Sequence, residues 1–149
     1  MKLGLMLLAA GALWGQTNML TVGAVPKLKV KRGAEAAVTV HAQLEPGYHV
    51  NSNKPNEEYL IPLKLSWKAE PLEPGAVTYP KAETEKAGFS DKPLSVFSGA
   101  FELVTKFKAP ATAPGGMAIV TGKLRYQACN DRMCLPPKTI DVPVTVDIQ

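Results

Sequence analysis

Short runs of alternating apolar and polar residues, each closed by proline or glycine, leave this chain few options other than a sheet protein. Val38, Val40, Ala42 and Leu44 share one face, while Thr39, His41 and Gln43 take the other. Leu63, Leu65 and Trp67 alternate with Lys64, Ser66 and Lys68, and Phe101, Leu103 and Phe107 oppose Glu102, Lys106 and Lys108. Ala118, Val120, Leu124 and Tyr126 form a later run, followed by Ile140, Val142, Val144, Val146 and Ile148. A period of two marks half-buried strands. Thirteen prolines and twelve glycines are spread between the runs as punctuation rather than gathered in a linker. Turn signals fall at Glu45–Gly47, Glu73–Gly75 and Pro114–Gly116. No amphipathic helix follows the first residues. Roughly seven to nine short strands in this length predict an all-β, immunoglobulin-like antiparallel β-sandwich. Two stretches depart from the pattern. Asn51–Glu58 is polar and predicts a long loop. Lys81–Pro93 is charged, with one aromatic at Phe89, and predicts a segment wandering over the surface.

Residues 1–15 read as a secretory signal. Lys2 supplies the positive start, Leu3 to Leu13 the apolar stretch, and Ala9, Ala10, Gly11, Ala12 and Gly15 the small residues near a cut. Cleavage is expected near Gly15, because Trp14 spoils an earlier site. The stretch is too short to span a bilayer, although a retained N-terminal anchor is the alternative. No cysteine lies at the cut, which disfavours a lipid-anchored form. Export implies an oxidising compartment in which disulfides persist. Residues 16–149 then form one domain with a respectable core. Loss of Lys2 takes the formal net charge from +4 to +3. The basic residues are scattered opposite apolar strand positions, so solvated strand faces explain them better than a nucleic-acid surface.

The chain has two cysteines, Cys129 and Cys134, with Asn130, Asp131, Arg132 and Met133 between them and Pro136-Pro137 just after. Asn130 and Asp131 favour a turn, so the pair is expected at a hairpin tip. Residues facing each other across such a tip lie close enough for a disulfide. A loop this short would stabilise the fold by only about 2 kcal/mol. As a staple it does little; as a thiol–disulfide exchange site it is well placed. The strand Ala118–Ala128 carries its apolar residues at even positions. Cys129 is therefore expected to leave the core side and reach the rim or outer face. Arg132, Lys138 and Arg125 would favour a thiolate, and Asp131 partly opposes them.

Two other readings stay open on these residues. One is an inert disulfide in an exported binding module. The other is a Cu(I) site drawing on His49, His41 or Met133; zinc would need paired Cys-x-x-Cys spacings that are absent. His41 and His49 otherwise read as ordinary strand and loop residues. No phosphate loop, Gly-x-Ser-x-Gly elbow or His-Glu-x-x-His occurs, and Glu57-Glu58 reads as a solvated loop.

Tyr126-Gln-Ala-Cys129 through Cys134-Leu-Pro-Pro-Lys138, followed by a valine-rich final strand, resembles the periplasmic N-terminal domain of the thiol–disulfide interchange protein DsbD. So do Pro46–Asn53, Leu60–Pro62, Tyr79–Lys81 and Phe89–Leu94, in that order. The resemblance spans about residues 25 to 148. It implies a sandwich whose Cys129–Cys134 pair carries electrons between thioredoxin-like redox proteins and periplasmic disulfide proteins, in settings that include cytochrome c biogenesis. That role would make the chain a protein-disulfide reductase or a component of an electron relay. Cys134 would bond to the partner and Cys129 would resolve the adduct. The resemblance also implies an aromatic cap loop, matched here to Leu94–Gly99 with Phe97 as the shielding ring. Tyr126 is expected to pack around the pair, and Asp131 and Arg132 to tune it from the turn. No cofactor or metal is expected, and the domain is expected to be monomeric. Two departures stand out: the family spaces its cysteines by five residues rather than four, and the membrane and thioredoxin-like domains are not in this sequence. A separate membrane protein would then be the electron donor.

Overall fold

A computed structural model describes residues 18–149; the proposed signal, residues 1–15, lies outside that span. Every regular element among the described residues is a strand. In chain order these are β1 (Leu20–Val22), β2 (Leu28–Val30), β3 (Glu35–Leu44), β4 (His49–Asn51), β5 (Lys64–Lys68) and β6 (Glu73–Thr78). Then follow β7 (Glu83–Glu85), β8 (Leu94–Ser98), β9 (Ala100–Lys108), β10 (Gly116–Tyr126), β11 (Ala128–Cys129) and β12 (Lys138–Ile148). They build three four-stranded sheets, ordered β1-β3-β9-β6, β2-β12-β10-β5 and β11-β4-β8-β7. All neighbours are antiparallel except β2 and β12, which run parallel.

The alternation seen in the sequence is the burial seen in the structure. Val38, Val40, Ala42 and Leu44 of β3, beside Leu103 and Phe107 of the neighbouring β9, join Val120, Leu124, Val144 and Val146 of β10 and β12 in one apolar core. Trp67 packs edge-on against Phe107, with ring centroids 5.0 Å apart. Its Nε1 donates to Oγ1 of buried Thr105 at 3.0 Å, which satisfies the one polar atom the indole brings inside. Opposite Trp67 on β10 sits Gly122. A Cβ there would lie 2.9 Å from Trp67 Cζ3 and 3.1 Å from Leu65 Cδ1. Gly122→Ala is therefore expected to destabilise the fold by about 1–3 kcal/mol through overpacking, read as a lower urea midpoint with an unchanged slope.

Three local expectations are corrected. Glu73–Gly75 is not a turn but the start of β6, an edge strand whose pairing with β9 shifts register between Pro74 and Val77. An edge position with a bulge tolerates proline because no ladder hydrogen bond is lost. Asn51 and Ser52 are not loop surface; both are buried, and Asn51 closes β4. Its Nδ2 donates to Ile61 O (2.9 Å) and to Gln127 Oε1 (3.1 Å). Finally, Lys81–Pro93 does not simply wander. It contains β7, buries Ala87 and half-buries Phe89.

Candidate functional site

The cysteine hairpin is assembled from the end of one sheet and the beginning of another. β10 stays in its ladder with β12 as far as Tyr126. Gln127 then leaves it, and its Oε1 accepts from Ile61 N and Asn51 Nδ2. The chain rejoins a different sheet as β11, where Ala128 pairs with Val50 and Cys129 with His49. Asn130 turns the chain: its Oδ1 accepts from Arg132 N at 2.9 Å and Met133 N at 2.8 Å. Backbone bonds Asn130 N to Met133 O and Leu135 N to Ala128 O close the hairpin. Cys129 and Cys134 face each other with Cα atoms 4.0 Å apart and are joined by a disulfide.

Laterally paired residues in a sheet project to the same side, and neighbours along a strand to opposite sides. Ala128, Val50 and Phe97 form one row across β11, β4 and β8 and belong to the main core. Cys129, His49 and Ser98 form the next row, which points the other way. Leu94 and Val96 share that second face and pack with Leu60, Ala87 and half-buried Phe89 in a separate small cluster. Cys129 thus leaves the core side, as its parity required. It does not reach an outer face, however, for it is 0% exposed. Parity takes a side chain off the core side without exposing it to water, and on this side Ala87 and Phe89 of the segment 86–93 pack over Leu94 and Val96. Gly88 N donates to Asp131 O at 3.0 Å, tying the roof to the hairpin tip. Asn56 Nδ2 donates to Pro93 O, and Lys92 pairs with Glu57 at 3.6 Å, tying it at its far end. Cys134, by contrast, is only partly buried.

The expected site residues divide accordingly. Cys129, Cys134, Asp131 and Arg132 come together at the hairpin, with both charged side chains exposed. Tyr126 is buried at its root, and burial pushes the phenol pKa up, against a smaller opposing contribution from the Leu20 backbone. Phe97 does not lie in a loop. Leu94–Ser98 is strand β8, and Phe97 turns into the main core, 5.4 Å from Phe101. The aromatic on the cysteine face is Phe89, whose isolation in a charged stretch was the signal available. His41 is exposed on β3 and pairs with Glu102 at 3.1 Å. Among the described residues no group of three or more His, Cys, Asp or Glu side chains is arranged to hold a metal ion.

In the sequence His49 reads either as an ordinary histidine or as a candidate Cu(I) ligand, and not as a neighbour of Cys129 in a sheet. It is 2% exposed, beside Cys129 in the sheet. Its Nδ1 lies 3.5 Å from Glu85 Oε2, while Nε2 has no hydrogen-bond partner among the described residues. Burial lowers its pKa below the ordinary 6.5, and Glu85 raises it by less. The unfolded chain therefore takes up a proton at His49 more readily than the folded one. Stability is expected to be fully present above about pH 6.5 and to fall as the pH drops through the lower folded value. Urea midpoints measured between pH 7.5 and 5 check this, and His49→Gln should flatten the dependence.

A family profile described as thiol:disulfide interchange protein DsbD, N-terminal, matches residues 16–145. The chain belongs to the DsbD N-terminal domain family. That family carries out thiol–disulfide exchange, and the fold agrees with it. The reduced DsbD N-terminal domain of Neisseria meningitidis superposes with a TM-score of 0.52 at 21% identity, covering 83% of this chain and 85% of that one. The N-terminal periplasmic domain of ScsB from Proteus mirabilis gives 0.53 at 12% identity, covering 86% of this chain and 44% of that structure. At these identities the likeness carries the immunoglobulin-like fold alone. No curated protein sequence matches the chain.

Proposed function

We propose that this DsbD N-terminal family domain is an exported, periplasmic electron relay that exchanges its Cys129–Cys134 disulfide with thioredoxin-like proteins. Residues 1–15 would be the signal and residues 16–149 the monomeric domain. The observation that carries the reading is the unequal burial of the two sulfur-bearing residues. Cys134 is partly exposed, whereas Cys129 is sealed. A partner sulfur is expected to approach from the Cys134 side, so the mixed disulfide forms at Cys134; Cys129 departs as the thiolate when the domain is being reduced and attacks Cys134 to release the partner when the domain is being oxidised. Met133, next to Cys134 at the hairpin tip, is 54% exposed and offers apolar contact to a partner. The roof 86–93, with Phe89, shields the pair between encounters and is held by few enough bonds to lift.

The reading is tested by equilibrating the protein with glutathione redox buffers and quantifying free thiols by mass spectrometry. A relay site should have a potential above about −300 mV, and an inert bridge one below it. Resistance to every glutathione ratio would reduce the chain to a binding module.

A further inference from the structure

We propose that His49 is the proton acceptor for Cys129 when that cysteine resolves the mixed disulfide at Cys134, with Glu85 holding the imidazole in position. The inference rests on the exchange reading above and adds to it the group that makes a sealed thiol reactive.

A thiol attacks as its thiolate, and Cys129 is buried where solvent cannot carry its proton away. Its direct neighbour across the β11–β4 ladder is His49, on the same face of the sheet. The ring's Nδ1 faces the Glu85 carboxylate at 3.5 Å. A carboxylate only accepts, so the neutral ring keeps its hydrogen on Nδ1 and presents a lone pair at Nε2. That Nε2 is buried and has no partner among the described residues, an arrangement that ordinarily costs stability. A thiol appearing beside it on reduction would supply the missing donor. Nucleophile, base and orienting carboxylate then stand in the order that activated nucleophiles use. Burial keeps the imidazole neutral at neutral pH, the form in which it can accept. The other charged groups around this face are Glu83, which accepts from Ser98 Oγ, Lys86 beyond β7, and exposed Asp131 and Arg132 in the hairpin. Lys54, Glu57 and Glu58 lie farther along the neighbouring loop.

The Cys134 thiolate first attacks the partner disulfide, forming a Cys134–partner bond and releasing one partner thiolate. Cys129 then passes its proton to His49 Nε2 and attacks Cys134 Sγ. The Cys129–Cys134 bond forms, the bond to the partner breaks, and the departing thiolate takes a proton from the imidazolium. Two electrons leave the cysteine pair for the partner's sulfurs.

The test follows the reduced protein with one equivalent of an aromatic disulfide that releases a coloured thiolate at each step. Wild type should release two in succession, the second intramolecularly. In His49→Gln the first phase should be unchanged and the second slowed at least tenfold, general-base effects being typically about 10²–10⁴-fold. The wild-type second phase should also rise with pH through an inflection below 6.5, and the variant should lose it. Glu85→Gln, altering a partly exposed carboxylate, should slow the second phase several-fold and move the inflection to lower pH, which keeps the test decisive if His49→Gln folds poorly. Variants matching wild type in both rate and pH profile would overturn the assignment while leaving exchange intact. A wild-type protein that releases no second thiolate would instead overturn the exchange reading and this step with it.

Discussion

A Cys129→Ser protein offered disulfide-bearing thioredoxin-like partners should accumulate as a covalent adduct through Cys134, and Cys134→Ser should give none. The expected contrast is nearly all-or-none, because it follows from access rather than from a graded energy. The cysteine left by Cys129→Ser is partly exposed at a hairpin edge; the one left by Cys134→Ser is fully buried. Removing the disulfide itself should cost only about 2 kcal/mol, since the closed loop is short, so both variants should fold well enough to compare. Non-reducing electrophoresis with intact-mass analysis reads the outcome. Adducts of equal yield from both variants would show that burial does not choose the attacked sulfur, and adducts only from Cys134→Ser would reverse the roles.

The second large effect separates Phe97, which the family resemblance singled out as the shielding ring, from Phe89. Phe97→Ala should destabilise the domain by about 3–5 kcal/mol, as expected for emptying a core aromatic position, because the ring is buried among Val50, Ala128 and Phe101. Phe89→Ala should leave the main unfolding transition nearly in place and speed reduction of the disulfide by a small dithiol several-fold. Gly88→Val should act in the same direction, since a Cβ at Gly88 would already lie 3.1 Å from Asp131 O and would push the roof off the hairpin. Urea unfolding and reduction kinetics on the same samples distinguish the roles. A stable Phe97→Ala protein with an unshielded disulfide would restore Phe97 as the cap.

Most of the sandwich was legible because its long strands each bury one face and wet the other. In β3, β9, β10 and β12 the apolar positions picked out by parity are the ones that line the core. The hairpin was legible too, since Asn130 does the turning expected of it. The roofed sheet was not. Strands of two or three residues such as β4, β7 and β11 are too short to show a period. Both faces of β4 are buried, so its polar residues contradict any pattern based on one wet side. The buried state of Asn51 depends on carbonyl and amide partners contributed from residues 61 and 127, which no local window contains. The nearness of His49 to Cys129 is likewise a matter of ladder register between segments eighty residues apart. The placement of Phe97 failed for a related reason: a resemblance transfers a loop by its neighbours in sequence, whereas the face on which a ring lands is decided by strand pairing.

The small cluster of Leu60, Ala87, Leu94, Val96 and Phe89 is separate from the main core, and this division has a thermodynamic consequence. The cover can melt as its own cooperative unit, at a fraction of the global unfolding free energy. Amides of residues 86–92 should then exchange with deuterium far sooner than those of β3, β9 or β10. Under such an arrangement the lifetime of the unveiled disulfide and the heat tolerance of the sandwich become separately adjustable, and substitutions in one need not disturb the other.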